Sequence, residues 1–577
     1  MQSDTVSTKQ QTIQALKDLL GSERVETNDR KTEYYRSGIR SGRGEALAVV
    51  FPDTLLEYWQ LLEVCVAANC IIIMQAAKTG LTEGSAPAES GYDRDVVIIN
   101  TLKMNDISLL NDGKQVLSFP GATLHALEKK LKDIGRTPHS VIGSSTLGAT
   151  IVGGVANNSG GALVKRGPAY TEMALFARVT EEGKLELVNH LGVDLGESPE
   201  EIFTNLQQHK YESQVADREG KIASDREYVD RVRNIDAETP ARFNADKRRL
   251  YEASGCAGKL AVFAVRLDTF PVSKQEQTFY IGTNDATVLT QLRREILADF
   301  NNVPEVGEYI HRDMFAMGEK YGKDNFLTIQ FLGTDILPKM FRMKGSVDAA
   351  LNKISFLPKF LSDRVLQLAS RLWPQHLPKR MMDYHQRFEH HLIVKMSDEG
   401  ITEAQDYFDK FFNDVSENKE SRGEFFVCDD AETKKAYLQR FVAAGAAIRY
   451  ETVNSHKVGE LLALDIAIRR NDENWVEELP ESISSQIEHS LYYGHFFCHV
   501  FHQDYILKKD ADTKKVKSEM LALLDSRGAK YPAEHNVGHL YEADSDLQKF
   551  YIELDPTNTF NPGIGKMDKH KRNCNCC

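Results

Sequence analysis

Side chains able to do acid–base chemistry crowd into two stretches of this 577-residue chain. Ala533-Glu534-His535-Asn-Val-Gly is a polar loop that sets a carboxylate beside an imidazole. An imidazole changes charge near neutral pH, which suits His535 to take a proton from a substrate hydroxyl. Gly494-His495-Phe-Phe-Cys-His499-Val-Phe-His502 is a second histidine cluster. On an unbroken strand the odd separation of His495 and His502 places them on opposite faces, unless a bulge or turn intervenes. A different chemistry is written in two glycine-rich runs. Gln75-Ala76-Ala77-Lys78-Thr79-Gly80-Leu-Thr-Glu-Gly84-Ser85 directly follows an apolar strand. The second run is Gly143-Ser-Ser-Thr-Leu-Gly-Ala-Thr150-Ile-Val-Gly-Gly-Val-Ala-Asn-Asn-Ser-Gly160-Gly161. Small residues let the backbone approach a ligand closely, and successive N–H groups in a turn form a nest for an anion. Jointly the runs point to a clamped diphosphate. Neither is a Gly-x-Gly-x-x-Gly fingerprint or a P-loop, which disfavours a nicotinamide dehydrogenase or an NTPase.

The elements that must position these runs read as an α+β chain. Strands are expected at Ala46–Phe51, Ile71–Gln75, Val96–Ile99 and Val116–Phe119. Helices are expected at Thr12–Leu20, Leu55–Ala68 and Thr123–Ile134, with a helical hairpin between the two glycine runs. Further along, strands Gln277–Ile281 and Phe326–Phe331 flank a helix Ala286–Asp299. A strand His391–Met396, helices Thr402–Phe412 and Lys435–Ala446, and a last strand Tyr493–Phe501 complete the pattern. Between Ile336 and Phe388 the composition changes: ten Lys/Arg stand against three Asp. Met340, Phe341, Met343, Phe356, Phe360, Trp373, Met381 and Met382 are interleaved with them. Basic, apolar and punctuated by proline is the composition of a segment that lies on an anionic membrane surface.

Length and composition bound what remains. The chain is long enough for several domains, and 41% hydrophobic with 27% charged residues is ordinary for a globular protein. With 71 Lys/Arg against 84 Asp/Glu the net charge is −13, a poor basis for neutralising nucleic-acid phosphates. The run Leu61 to Met74 is too short and too interrupted to span a bilayer. The N-terminus lacks the pattern of a secretory signal, and eight cysteines are too sparse for a disulfide framework, so a reducing cytoplasmic location is expected. The terminal Cys574, Cys576 and Cys577 follow a basic run, and Asn575 does not fit a prenylation box.

Val50-Phe-Pro-Asp, the two glycine runs, Arg166-Gly-Pro-Ala-Tyr-Thr-Glu-Met, Gly258-Lys-Leu-Ala-Val-Phe-Ala-Val-Arg-Leu, Tyr531-Pro-Ala-Glu-His-Asn-Val-Gly-His and Asp555-Pro-Thr-Asn-Thr-Phe-Asn-Pro-Gly-Ile-Gly-Lys resemble the vanillyl-alcohol-oxidase (PCMH-type) flavoproteins. Within that family the likeness is closest to the bacterial members that oxidise D-lactate to pyruvate and pass the electrons to a membrane quinone, and it runs from about Leu16 to Lys566. It implies a two-lobed FAD-binding domain over residues 1–270, an α+β substrate cap over 271–335 and 389–530, a basic membrane-contact insert over 336–388 and a segment 531–577 returning to the flavin. It further implies non-covalent FAD held at Ala76, Ala77, Lys78, Thr79, Gly80, Gly84, Ser85, Gly143, Thr150, Gly160 and Val262. His139 is the one candidate for a covalent link. Peripheral attachment to the cytoplasmic face of the bacterial inner membrane follows, with D-lactate, a quinone and anionic phospholipid as partners and no nucleic acid.

Substrate chemistry then needs a flavin to take hydride, a base for the hydroxyl proton and a cation for the carboxylate. Catalytic roles fall to His535, Glu534 and Arg440, whose helical Ala436-Tyr-Leu-Gln-Arg440 resembles a carboxylate-holding motif of 2-hydroxyglutarate-oxidising relatives; Arg449 is the local competitor. In the same relatives a Gly-His…His pair and the glutamate of a Glu-His motif hold a zinc-type metal, which maps to His495, His502 and Glu534. The Gly-Asp-Gly-Asn usual between those histidines is replaced here by Phe-Phe-Cys-His-Val-Phe. The alternatives are a related dehydrogenase for another D-2-hydroxy acid, such as 2-hydroxyglutarate or glycolate, and a flavin-binding protein without turnover.

Overall fold

Ile71–Gln75 and Val96–Asn100 are nearly continuous apolar strands, as parallel strands covered on both faces must be. They lie in a four-stranded sheet whose order is Val25–Glu26, Ala48–Val50, Val96–Asn100, Ile71–Gln75, with only the first pairing antiparallel. The crossover between Ala48–Val50 and Ile71–Gln75 is the helix Leu55–Ala67, started by a capping box between Thr54 and Glu57. The structure, a computed structural model, describes residues 2–140, 145–215, 220–333, 340, 343–345, 347–348, 351, 360–370, 372–413 and 422–572. Gly143, the terminal cysteines and, in the basic segment, Lys339, Arg342, Lys353, Lys359 and Arg371 lie outside the described residues.

A second, five-stranded antiparallel sheet runs Ile107–Leu110, Gln115–Ser118, Ala261–Asp268, Ala174–Val179, Leu185–Asn189. Its Leu117, Leu175 and Phe263 share one core with Leu16, Leu62 and Ile72 of the first lobe. Among the described residues between the glycine runs stand four strands and one α-helix, Leu124–Lys132, so the expected helical hairpin is not there. The alternating residues from Val96 to Ser118 spend their apolar side chains on two sheets instead.

Residues 276–508 build a seven-stranded antiparallel sheet in the order Glu424–Val427, Glu276–Thr283, His390–Ser397, Val306–His311, Ile487–His495, Val500–Lys508, Val458–Ala467. One face buries Phe279, Ile281, Leu392 and Val394 against Leu289, Leu292 and Phe408 of helices Ala286–Asp299 and Gly400–Asn413. The other packs Tyr280, Ile310, Ile393 and Tyr493 under helices Arg312–Tyr321, Asp430–Phe441 and Ala443–Asn454. Three expectations are corrected here. Phe326–Phe331 is part of the helix Lys323–Leu332, not a strand; a short run rich in Phe, Leu and Ile has no period that separates the two. Tyr493–Phe501 is not one strand but the closed end of a hairpin, with a single helical turn Phe496–Cys498 and a left-handed His499. Lys435–Ala446 likewise divides into two helices at Val442.

The chain then comes back to its beginning. Ile72 donates to Thr559 O at 3.0 Å and accepts from Asn561 N at 3.0 Å, so Phe560 pairs alongside the strand that carries the first glycine run. The buried Asp555 carboxylate shapes this turn by accepting from Thr559 N at 3.1 Å and Phe560 N at 2.7 Å.

Candidate active site

The hairpin turn decides the geometry of the histidines. His495 pairs with Val500 and Tyr493 pairs with His502, so with the turn inserted both imidazoles stand on one face of the sheet. Neighbouring strands add to that face: Glu308 is the register partner of His495, and Asp465 that of His502. The loop carrying Glu534 and His535 is fastened there from outside the sheet. Glu534 N donates to Asp465 Oδ2 at 2.8 Å and Ala533 N to Asp465 O at 3.0 Å.

A chain of alternating charges results, nearly sealed from water. Arg440 Nε lies 2.8 Å from Glu308 Oε2, Glu308 Oε1 is 2.7 Å from His495 Nδ1, His495 Nε2 is 3.3 Å from Glu534 Oε2, and Glu534 Oε1 is 2.6 Å from Arg242 Nη2. Burial would push His495 down, but the two carboxylates that flank it raise it to about 10, so at neutral pH it is an imidazolium donating from both nitrogens. Burial would likewise raise the carboxylates; instead Arg440 and His495 lower Glu308, and His495 and Arg242 lower Glu534 well below the ordinary range. Three cations against two anions leave this row with one surplus positive charge, beside which an anionic substrate is favoured.

The remaining candidates sort themselves by contact. Asp465 stands between the other two imidazoles, 3.4 Å from His502 Nδ1 and 3.9 Å from His535 Nε2. His535 keeps 32% of its side chain exposed, a route for a proton to solvent. One ligand atom each from His495, His502 and Glu534 lie within 4.8 Å of one another. The 3.3 Å between His495 Nε2 and Glu534 Oε2 matches the ligand-to-ligand spacing that bonds of about 2.0–2.2 Å produce around a tetrahedral ion. Arg440 leans over the Tyr493 ring at 4.6 Å while its Nε faces Glu308. Arg449, the competitor, is consumed elsewhere by Asp324 at 2.9 Å and Asp363 at 2.7 Å. His499 points away into the turn, where Nδ1 meets Arg469 O at 2.9 Å.

The glycine runs border this row. Ala77 in the first run and Gly148 in the second approach closely enough that a Cβ on Gly148 would lie 3.8 Å from Ala77 Cβ. A Cβ on Gly84 would fall 2.7 Å from Asn536 Oδ1, and one on Gly160 would fall 2.6 Å from Glu534 Oε1, whereas at Gly80 it would meet nothing within 4 Å. Both runs therefore touch the Glu534 loop and leave one side of the cradle open, a fit for a ligand whose diphosphate lies between them. Lys78, lowered to about 8 by burial, holds the first run down by donating to Ser37 O at 2.6 Å. Thr150 Oγ1 caps the helix Ile151–Ala156 by accepting from Gly153 N at 3.2 Å, which leaves the hydroxyl proton and the backbone N–H to serve a ligand. Val262 sits at a bulge in Ala261–Asp268 beneath the second run. His139 is buried and lowered to about 3 by desolvation and the Arg166 charge, which keeps its imidazole neutral.

Two residues of the row and Asp465 beside it were not singled out from sequence. Glu308 is the lone acid of the apolar strand Val306–His311, and Asp465 interrupts the apolar run Leu461-Leu-Ala-Leu-Asp-Ile-Ala, each a readable signal. Arg242, in Thr239-Pro-Ala-Arg-Phe, carries none.

Comparison with known proteins bears on what this geometry serves. Residues 46–186 match the model of the FAD binding domain, and residues 278–573 match that of D-lactate dehydrogenase, membrane binding. The chain is 56% identical to the quinone-dependent D-lactate dehydrogenase of Escherichia coli strain K12 over 99% of both chains. It is 43% identical to the protein of the same name from Corynebacterium glutamicum over 98% of both. Among solved structures, p-cresol methylhydroxylase superposes with a TM-score of 0.58 at 12% identity over 97% of both chains. Alkyldihydroxyacetonephosphate synthase follows at 0.56 and 12%, over 96% of this chain and 84% of its own. These two share the fold.

The raised His495 makes a signed prediction. Its stabilisation is complete below about pH 6.5 and is lost as pH rises towards 10. In chelator-treated protein, Glu308→Gln is expected to flatten the fall in stability between pH 6.5 and 10 by at least about 1.4 kcal/mol, the equivalent of one pKa unit. Denaturation midpoints across that range provide the check.

Proposed function

The chain belongs to the family of quinone-dependent D-lactate dehydrogenases, and from that premise we propose how its residues divide the work. It is an FAD enzyme that oxidises D-lactate and delivers the electrons to a quinone at a membrane. The observation that carries the assignment of roles is the buried row Arg440–Glu308–His495–Glu534–Arg242, which borders both glycine runs and has a net positive charge.

FAD, when bound, would supply the acceptor for the hydride that leaves C2 of the substrate. The cradle for it is Ala76 to Gly80, Gly84, Ser85, Thr150, Gly160 and Val262, with Gly143 beside them in the sequence, and no covalent bond is needed. Arg440 has its Nε committed to Glu308, which aims the free end of the guanidinium at the substrate carboxylate. His535 takes the hydroxyl proton, with Asp465 orienting the ring and its exposed edge returning the proton to water. Glu534 anchors the imidazolium and the loop. A zinc-type ion held by His495, His502 and Glu534 would polarise the hydroxyl and lower its pKa. Binding it requires His495 to surrender the proton on Nε2, so its affinity rises with pH. Specificity for lactate over a longer D-2-hydroxy acid is the finer part of the same reading.

The lipid contact rests on a helix built inside out. Leu361–Ser370 buries Asp363, Gln367 and Ser370, while Val365, Leu368 and the following Leu372 are 56%, 64% and 87% exposed. Asp363 is clamped by Lys344 and Arg449, each at 2.7 Å. Exposed Phe331, Leu332, Met343 and Phe360 extend the apolar side. An apolar surface of this kind marks a partner that is itself apolar. The sequence reading needs two corrections: Met381 is buried in the cap core, and Lys344, Arg380 and Arg387 are neutralised by Asp363, Glu432 and Glu424. Insertion of the apolar side thus supplies much of the attachment, and the remaining basic residues of 336–388 favour anionic phospholipid on the cytoplasmic face. Among the described residues no helix is long and apolar enough to cross the bilayer.

Two experiments test these assignments. Arg440→Lys is expected to raise KM for D-lactate by 10- to 100-fold, on the order of 1.5–3 kcal/mol for a charged hydrogen bond. His535→Gln should instead lower kcat by about 10²-fold or more, and chelator should lower it reversibly, with zinc restoring it. Steady-state kinetics with unchanged flavin content separate the three. For the membrane, flotation with phosphatidylglycerol vesicles should retain the protein in 0.5 M salt (on the order of a 4 Å Debye length). The double change Leu368→Asp with Leu372→Asp should release it.

A further inference from the structure

Arg242 has more hydrogen-bonding capacity than the protein uses. It lies in the loop before Arg249, is 3% exposed, and its guanidinium stands 5.9 Å from the Tyr228 ring. Nη2 donates to Glu534 Oε1 and to Gly161 O, both at 2.6 Å. Nε and Nη1 are shut off from solvent and have no hydrogen-bond partner. A buried N–H left in that state costs about 1–3 kcal/mol, so two on one side chain call for an acceptor. The backbone at Gly160 shows where that acceptor comes from: a Cβ there would sit 2.9 Å from Arg242 Nε, so only glycine lets the second glycine run approach this guanidinium.

We infer that Arg242 is a flavin-binding residue: its two unpartnered N–H groups face the cofactor, and its fixed charge raises the cofactor's reduction potential. The inference rests on the reading of Gly160 as part of the flavin cradle. Oxidation of lactate moves a hydride, two electrons and one proton, from C2 to the flavin, while the hydroxyl proton leaves to His535. The reduced ring system therefore carries one more negative charge than the oxidised one. A buried guanidinium with donors aimed at that charge stabilises the reduced form in a low-dielectric setting, where fixed charges act strongly. Glu534, paired with the same guanidinium, offsets part of this effect. The pair therefore acts on the cofactor in opposite senses.

The test uses chelator-treated full-length protein loaded with FAD and reads the flavin in the absence of substrate. Midpoint potentials are measured against a reference dye, and sulfite titration gives an independent measure of how well added negative charge is tolerated. Arg242→Met is expected to lower the potential by at least about 30 mV, a tenfold change for a two-electron couple, and to weaken sulfite binding at least tenfold. Glu534→Gln, which keeps the guanidinium, is expected to move both quantities the other way. An Arg242→Met protein that holds flavin at the wild-type potential, or a Glu534→Gln protein whose potential does not rise, would overturn the inference and leave Arg242 as a support for the Glu534 loop alone. Absence of bound flavin in the wild-type protein would instead refute the cradle itself.

Discussion

Two buried carboxylates share one imidazole, and most of the molecule is arranged to make that tolerable. A carboxylate without a partner at this depth would be protonated, and a histidine without one would be neutral. Glu308 and Glu534 stay ionised because His495 lies between them and an arginine closes each end. The five groups come from five places in the chain: a central strand, a hairpin, a helix, a loop of the flavin lobe and the returning C-terminal loop. Removing either carboxylate leaves two buried cations unmatched, and the row joins the cap to the flavin lobe. On the proposed division of roles, function draws on the same arrangement, because the surplus positive charge that remains would meet an incoming carboxylate.

The local elements were legible where one physical signal dominated. Ile71–Gln75 reads as a strand because five residues of near-unbroken hydrophobicity are followed at once by small residues, and the structure has those bounds. Ala286–Asp299 reads as a helix because its apolar residues recur every three to four. Phe326–Phe331 failed for lack of such a period, and Tyr493–Phe501 failed because Gly494 and a left-handed His499 hide a hairpin inside an apolar run. The turn also explains why two histidines at an odd separation can share a face. Within the site, Glu534, Arg440 and the glycine runs were visible as motifs. Glu308 and Asp465 show only as acids interrupting apolar strands and Arg242 not at all, since their roles arise from strand register and loop packing that no local pattern encodes.

The helix Leu361–Ser370 shows the same logic reversed. In an aqueous protein its apolar side would turn inward; here the inward side carries Asp363 and Gln367, matched by Arg449, Lys344 and the carbonyl of Lys320. Charges that would be costly in lipid are satisfied against the cap, and the side chains that would be costly in water are left facing out.

The measurement that bears most directly on this account is an anaerobic titration of the purified protein, following the visible band of its flavin. D-lactate is expected to bleach the band, L-lactate to leave it unchanged, and a short-chain quinone to restore it. A flavin that D-lactate leaves oxidised, or a reduced flavin that quinone fails to reoxidise, would contradict the account.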